Sequence, residues 1–138
     1  VLYLFFLKFF GAAGVERAGG GDQLVGQDQL GRMYVCQRHF DAAAAAGAKG
    51  IVIAGVGNGN MTETALKALT AQAKKGVVAV RSSRVTTGLV GRNVEVDDDK
   101  NNFVASLGLN PQKARVLLRL ALLKTSDPKT IQRYFDEY

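Results

Sequence analysis

The feature that most constrains this chain is the run Ile51-Val-Ile-Ala54, which opens into Gly55-Val-Gly-Asn-Gly-Asn60. The run is apolar and β-branched with no polar alternation, which suits a strand buried on both faces, as in a parallel sheet. Residues 61–75 then show a helical period. Leu66, Leu69 and Ala73 fall at i, i+3 and i+7, with Ala65 beside them. Lys67, Lys74 and Lys75 fall on the polar side or at the C-terminal end, where cations suit the helix dipole. Gly76 is a stop, and a second apolar run, Val77-Val-Ala-Val80, follows it. Strand, helix and strand with short links make a βαβ unit. The chain is therefore read as α/β, a small parallel-sheet domain with flanking helices. Ligands in such sheets bind at the C-terminal ends of the strands, which here are the glycine-rich turn and Arg81-Ser-Ser-Arg84.

The flanks support this reading. Phe40 and the alanines up to Ala48 favour a helix, with Asp41 as its N-cap and Gly47 and Gly50 ending it. Met33-Tyr-Val-Cys36 reads as a short strand. Residues 85–109 form a long irregular segment, of the kind that is functional or disordered, with a short strand at Phe103-Val-Ala-Ser106. Asn110-Pro111 starts a helix that runs to about Lys124, and its many leucines predict that it is largely buried. Asp127-Pro128 repeats the cap. Ile131, Tyr134, Phe135 and Tyr138 then form one apolar face.

The first part of the chain reads differently. Val1-Leu-Tyr-Leu-Phe-Phe-Leu-Lys-Phe-Phe10 is the most apolar stretch, yet it is too short to span a bilayer and lacks the basic region of a signal peptide. It is expected to be a buried strand pair or helix. Residues 11–31 read as a loop or linker, and with Val1 rather than Met at the start an upstream region is expected.

Composition narrows the function classes. The 138 residues fit one domain, and the net charge of +6 is spread over several elements without a basic block interleaved with aromatics. No nucleic-acid or membrane partner is expected. Cys36 and His39 are the only residues of their kinds, so neither an intrachain disulfide nor a metal spacing follows.

The candidate site residues each carry a structural reading beside the functional one. Asn60 stands where an N-cap belongs, with Glu63 completing something close to a capping box. Its carboxamide also suits recognition of an amide or carboxylate. The glycines at 55, 57 and 59 fit neither a dinucleotide fingerprint nor a Walker loop. The group Glu95-Val-Asp-Asp-Asp99 lacks the calcium-loop pattern and reads as a solvated acidic loop, or as a carboxylate turned toward a ligand amine. Thr86 and Thr87 have no activating base near them in sequence.

Several of these stretches together resemble the bacterial type II L-asparaginases of the asparaginase/glutaminase family. They are Gly55-Val-Gly-Asn-Gly-Asn60, Val80-Arg-Ser-Ser-Arg-Val85, Glu95-Val-Asp-Asp98, Phe103-Val-Ala105, Leu109-Asn-Pro-Gln-Lys-Ala-Arg115, Thr125-Ser-Asp-Pro128 and Ile131-Gln132. The resemblance covers roughly residues 42–138. It implies the family's C-terminal α/β domain, a flavodoxin-like three-layer fold, over residues 33–138, with an unmatched segment over 1–32. It also implies hydrolysis of L-asparagine to L-aspartate and ammonia, sometimes with glutaminase activity, and without metal or organic cofactor. The implied assembly is a periplasmic or secreted homotetramer in which this domain completes a site on the N-terminal domain of a neighbouring subunit. Asn60 and Glu95 match the family's substrate-binding positions near the α-amino group. The family's Thr-Gly-Gly-Thr and His-Gly-Thr-Asp-Thr stretches are absent from this sequence. No catalytic residue is therefore assigned within it, and the chain alone is expected to be inactive. The other reading is a non-enzymatic α/β module that binds a small anion or nucleotide at the loop from Gly55 to Asn60.

Overall fold

The computed structural model describes residues 3–8, 26–27, 33–34 and 37–138. The linker expected over 11–31 lies outside the described residues except for Gly26–Gln27, and Cys36 lies outside them too. In chain order the elements are β1 (Tyr3–Lys8), β2 (Gly26–Gln27), β3 (Met33–Tyr34), α1 (Gln37–Ala45), β4 (Ala48–Gly55) and α2 (Glu63–Lys74). They continue with β5 (Val78–Ser83), α3 (Asp98–Asn101), β6 (Phe103–Ala105), α4 (Pro111–Ala121) and α5 (Pro128–Glu137).

The main sheet has the order β1-β4-β5-β6. β4, β5 and β6 are parallel, as the sequence implies. β1 adds an antiparallel edge, with Phe5 opposite Val52 and Phe6 opposite Ile51. β2 and β3 pair separately.

The strand period of two sorts the apolar side chains between two cores. Ile51, Ile53, Ala79 and Phe103 face Phe40 of α1 and Ala65, Leu69 and Ala73 of α2. Val52, Val78, Val80 and Val104 face Ala114, Leu118 and Ala121 of α4 and Ile131 and Phe135 of α5. Helices on both faces of a largely parallel sheet make the three-layer α/β fold. Each fully buried large apolar side chain contributes about 1.5–3 kcal/mol to it.

Local chemistry sets the helix ends. Asn110 accepts from the Lys113 N–H at 2.9 Å and Asp127 from the Thr130 N–H at 2.9 Å, so both expected caps are present. At the end of α2, Gly76 takes φ +90 and its N–H donates to Ala73, while Val77 donates to Gln72. These two bonds satisfy the last carbonyls as a left-handed glycine cap does. The edge of β6 is closed by a side chain. Gln132 accepts from the Ala105 N–H at 2.8 Å and donates back to its carbonyl at 3.2 Å, taking the place of a further strand.

Four expectations need correction. α1 begins at Gln37, so Asp41 lies inside the helix and accepts from Gln72 Nε2 at 2.6 Å instead of capping. β4 and β5 run beyond their apolar stretches, and β5 continues through Arg81-Ser-Ser83, all buried. α4 is not largely buried, because it packs on the sheet by one stripe only. Val116 and Leu120 stay exposed on its outer side, and Leu123, just past its end, is exposed too. Tyr138 lies past the end of α5 and is exposed rather than part of its apolar face.

Candidate functional site

The glycine-rich loop is built by close backbone approach. Val56 and Asn60 exchange backbone hydrogen bonds of 3.1 and 2.8 Å, closing the turn between them. A Cβ on Gly55 would stand 2.5 Å from the Asn60 carbonyl oxygen, so only glycine fits there. Because Asn60 is held in this closure, α2 starts later than the sequence suggests. Its N-cap is Thr62, whose hydroxyl accepts from the Ala65 N–H at 3.3 Å. Asn60 is thus not the cap. Its carboxamide makes no hydrogen bond among the described residues. At the N-terminus of α2 the Ala65 N–H is already taken by Thr62.

Arg81 organises this end of the sheet. It shares a strand face with Ala79, and its side chain is fully buried. Its Nε and Nη2 donate to the two oxygens of Asp98 at 2.6 and 2.7 Å. The Asp98 side chain is also fully buried. Nη1 donates to the Asn58 carbonyl at 2.8 Å and Nη2 to the Gly91 carbonyl at 3.1 Å. The bidentate geometry gives the pair strength and a fixed orientation.

Further bonds brace the same loops. Asn58 Oδ1 accepts from the Gly91 N–H at 2.6 Å. Asn93 and Asp98 are joined both ways, Asp98 Oδ2 accepting from the Asn93 N–H at 2.9 Å and Asn93 Oδ1 from the Asp98 N–H at 2.8 Å. Asn93 sits at φ +56, a conformation asparagine tolerates.

The acidic group therefore does not behave as one solvated loop, since its members do different work. Asp98 is the buried partner of Arg81. Asp97 caps α3 by accepting from the Lys100 N–H at 2.9 Å. Asp99 pairs with Arg92 and Asn93 at the surface. Hydrogen bonds from Asn93 and then Arg92 hold its carboxyl below the usual aspartate range. Glu95 is exposed and borders a hollow of about 560 Å³ with Asn93, Val94, Val96, Asp97 and Asp99.

Asn60 and Glu95, the two residues singled out from sequence, do not hydrogen-bond to each other. They are carried on two loops tied to one guanidinium. Arg81 was the residue sequence reasoning missed. The available hint was its phase in β5, since an arginine in register with a core alanine needs a buried anion, and an acidic cluster follows.

A larger cleft, about 620 Å³, lies elsewhere on this edge. It is lined by Ala54, Ser83, Arg84, Thr86, Asn110 and Lys113 among others, and it includes neither Asn60 nor Glu95. Thr86 and Thr87 are exposed and make no side-chain hydrogen bond among the described residues. Also among the described residues, no group of three or more His, Cys, Asp and Glu is placed to hold a metal ion. None of their helices is long and apolar enough to cross a membrane.

The fold and the braced edge define a small α/β domain with one polar, loop-borne end. Comparison with known proteins gives its family. Residues 35–135 match the Glutaminase/Asparaginase C-terminal domain, and the chain belongs to that family. It is 59% identical over 99 residues to a probable periplasmic L-asparaginase of Haemophilus influenzae, covering 72% of this chain and 28% of that protein. It is 57% identical over 93 residues to L-asparaginase 2 of Escherichia coli, covering 67% and 27%. To a glutaminase-asparaginase of Pseudomonas aeruginosa it is 47% identical over 100 residues, covering 72% and 28%. The matched stretch spans little more than a quarter of the length of these relatives.

Proposed function

We propose that this chain is the C-terminal domain of an L-asparagine amidohydrolase, with the family's own part over residues 33–138 and β1, from the unmatched residues 1–32, added to its sheet as an antiparallel edge. The family match carries the reading, since the similar proteins are named as L-asparaginases and glutaminase-asparaginases. In this proposal the domain completes an active site whose reacting groups belong to the N-terminal domain of a neighbouring subunit, within a homotetramer. Asn60 and Glu95 contribute to binding L-asparagine and L-aspartate. The exposed Glu95 carboxylate offers a charge-assisted acceptor to the substrate α-ammonium. The Asn60 carboxamide, which has no partner among the described residues, is available to support the same region. A periplasmic location accords with the name of the Haemophilus relative.

The geometry also bears on the alternative, a nucleotide or anion at the glycine loop. That loop is closed by its own backbone bonds, and Thr62 occupies the first turn of α2. The N–H groups of Val56, Asn60 and Ala65 are therefore already taken.

The test is reconstitution. The purified chain alone is expected to release no ammonia from L-asparagine. Mixing it with the N-terminal domain of the Haemophilus relative is expected to produce release. Steady release by the chain alone, or none from the mixture, would count against the proposal.

A further inference from the structure

We infer that Arg81 is a positioning residue for the half-site, clamping the Asn60 loop and the Glu95 loop into one rigid unit through Asp98, Asn58 and Gly91. This rests on the shared-site reading above and extends it to a residue that touches no substrate. Three observations carry it.

First, the guanidinium is spent on these two loops. Besides Asp98, its bonds go to the carbonyls of Asn58 and Gly91, at 2.8 and 3.1 Å. Asn58 lies two residues before Asn60, inside the turn that Asn60 closes. Second, the loops are cross-braced independently of the arginine. Asn58 Oδ1 accepts from Gly91 N–H at 2.6 Å, and the reciprocal Asn93–Asp98 bonds fix both ends of the short segment bearing Glu95. A displacement of either loop must therefore move the other. Third, the pair is buried at a cost. Removing two charges from water offsets most of their attraction, so an apolar pair of similar volume would hold the core at least as well. What an apolar pair would not do is orient two backbone carbonyls and a carboxylate along one planar fork.

The test uses the full 138-residue chain. Arg81→Lys keeps the charge and loses the fork. Asn58→Ala removes the Asn58–Gly91 bond at a partly exposed position that leaves the buried pair in place, so it serves where the arginine variant fails to fold. Asn58→Asp keeps an acceptor at the same point. In amide resonance spectra of the chain alone, Arg81→Lys is expected to shift the amides of both loops, residues 56–60 and 91–95, and Asn58→Ala to shift Gly91 and Glu95 as well as its own turn, with Asn58→Asp returning them. Shifts confined to residues 56–60 would overturn the clamp.

In the enzyme reconstituted with the N-terminal domain of the Haemophilus relative, Arg81→Lys and Asn58→Ala are expected to raise KM for L-asparagine about tenfold, with kcat changed less than about threefold. Asn58→Asp is expected to restore KM. An active reconstituted enzyme whose KM is unmoved by both variants would also overturn the inference. An inactive wild-type mixture would instead tell against the shared site, and the amide spectra would still decide whether the clamp exists.

Discussion

Two consecutive stretches follow β5, both polar and glycine-bearing, yet they end in opposite states. Residues 91–98 are locked. Gly91, Asn93 and Asp98 are each held by hydrogen bonds that converge on Arg81. Residues 84–89 are exposed throughout, and their backbone ties are few, Arg84 N–H to Gly55 and Val85 N–H to the Ser83 hydroxyl. The difference lies in a carboxylate that a buried donor set can reach: residues 91–98 supply Asp98 to Arg81, and residues 84–89 have none to offer. Arg81 points toward α3 and takes up one stretch, whereas the other borders the open cleft beside α4.

Breaking the buried pair should give the largest effect. Asp98→Ala leaves the Arg81 charge buried and unpaired and removes the acceptor for the Asn93 N–H. A loss of about 3–5 kcal/mol is expected from such a change, read as a lower urea midpoint with an unchanged slope. A loss under about 1 kcal/mol would mean that water reaches Arg81 and that the locked stretch is no more constrained than the open one.

The same substitution type in the open stretch should do almost nothing. Thr86→Ala removes an exposed hydroxyl without a hydrogen-bond partner among the described residues, so the midpoint should move by less than about 0.5 kcal/mol in equivalent stability. A larger loss would show that residues 84–89 are held by contacts comparable to those of the braced loop, and the contrast would collapse.

How much of this was legible in the sequence follows the same division. The βαβ unit, the strand at Phe103 and the caps at Asn110 and Asp127 depend on neighbours a few residues away, and pattern reasoning finds them. The family resemblance, carried by motifs in order, pointed to the domain that the comparison then matched. What escaped depends on distant partners. Asp41 looked like a cap because its tie to Gln72 spans the gap between two helices. Arg81 looked like an edge residue because its anion lies beyond the intervening loop. The outer side of α4 looked buried because leucine content says nothing about how many faces a helix has covered. Asn60 looked like a cap because the backbone closure with Val56 cannot be read from residue type.

The smallest expected effect separates the two stretches by acid. Residues 84–89 contain no carboxylate, whereas the locked stretch adjoins Asp99, whose carboxyl is held below its ordinary value of 3.8 by Asn93 and then Arg92. A carboxyl lowered in the folded state contributes stability that is present above its unfolded value. That contribution is lost as pH falls through the lowered folded value. The Asn93 side-chain amide and the Asp99 N–H should therefore titrate together below pH 3.8, while amides of residues 84–89 stay flat over the same range. Because Asp99 is exposed, the change should appear as a local resonance shift with little movement of the unfolding midpoint. Asp99→Asn should abolish that titration while leaving the Arg81–Asp98 pair and the Asn58 bonds in place. If the Asn93 amide still titrated in that variant, another acid would be controlling the outer edge of the brace. If the midpoint fell as far as in Asp98→Ala, the surface tie and not the buried one would be holding the loop.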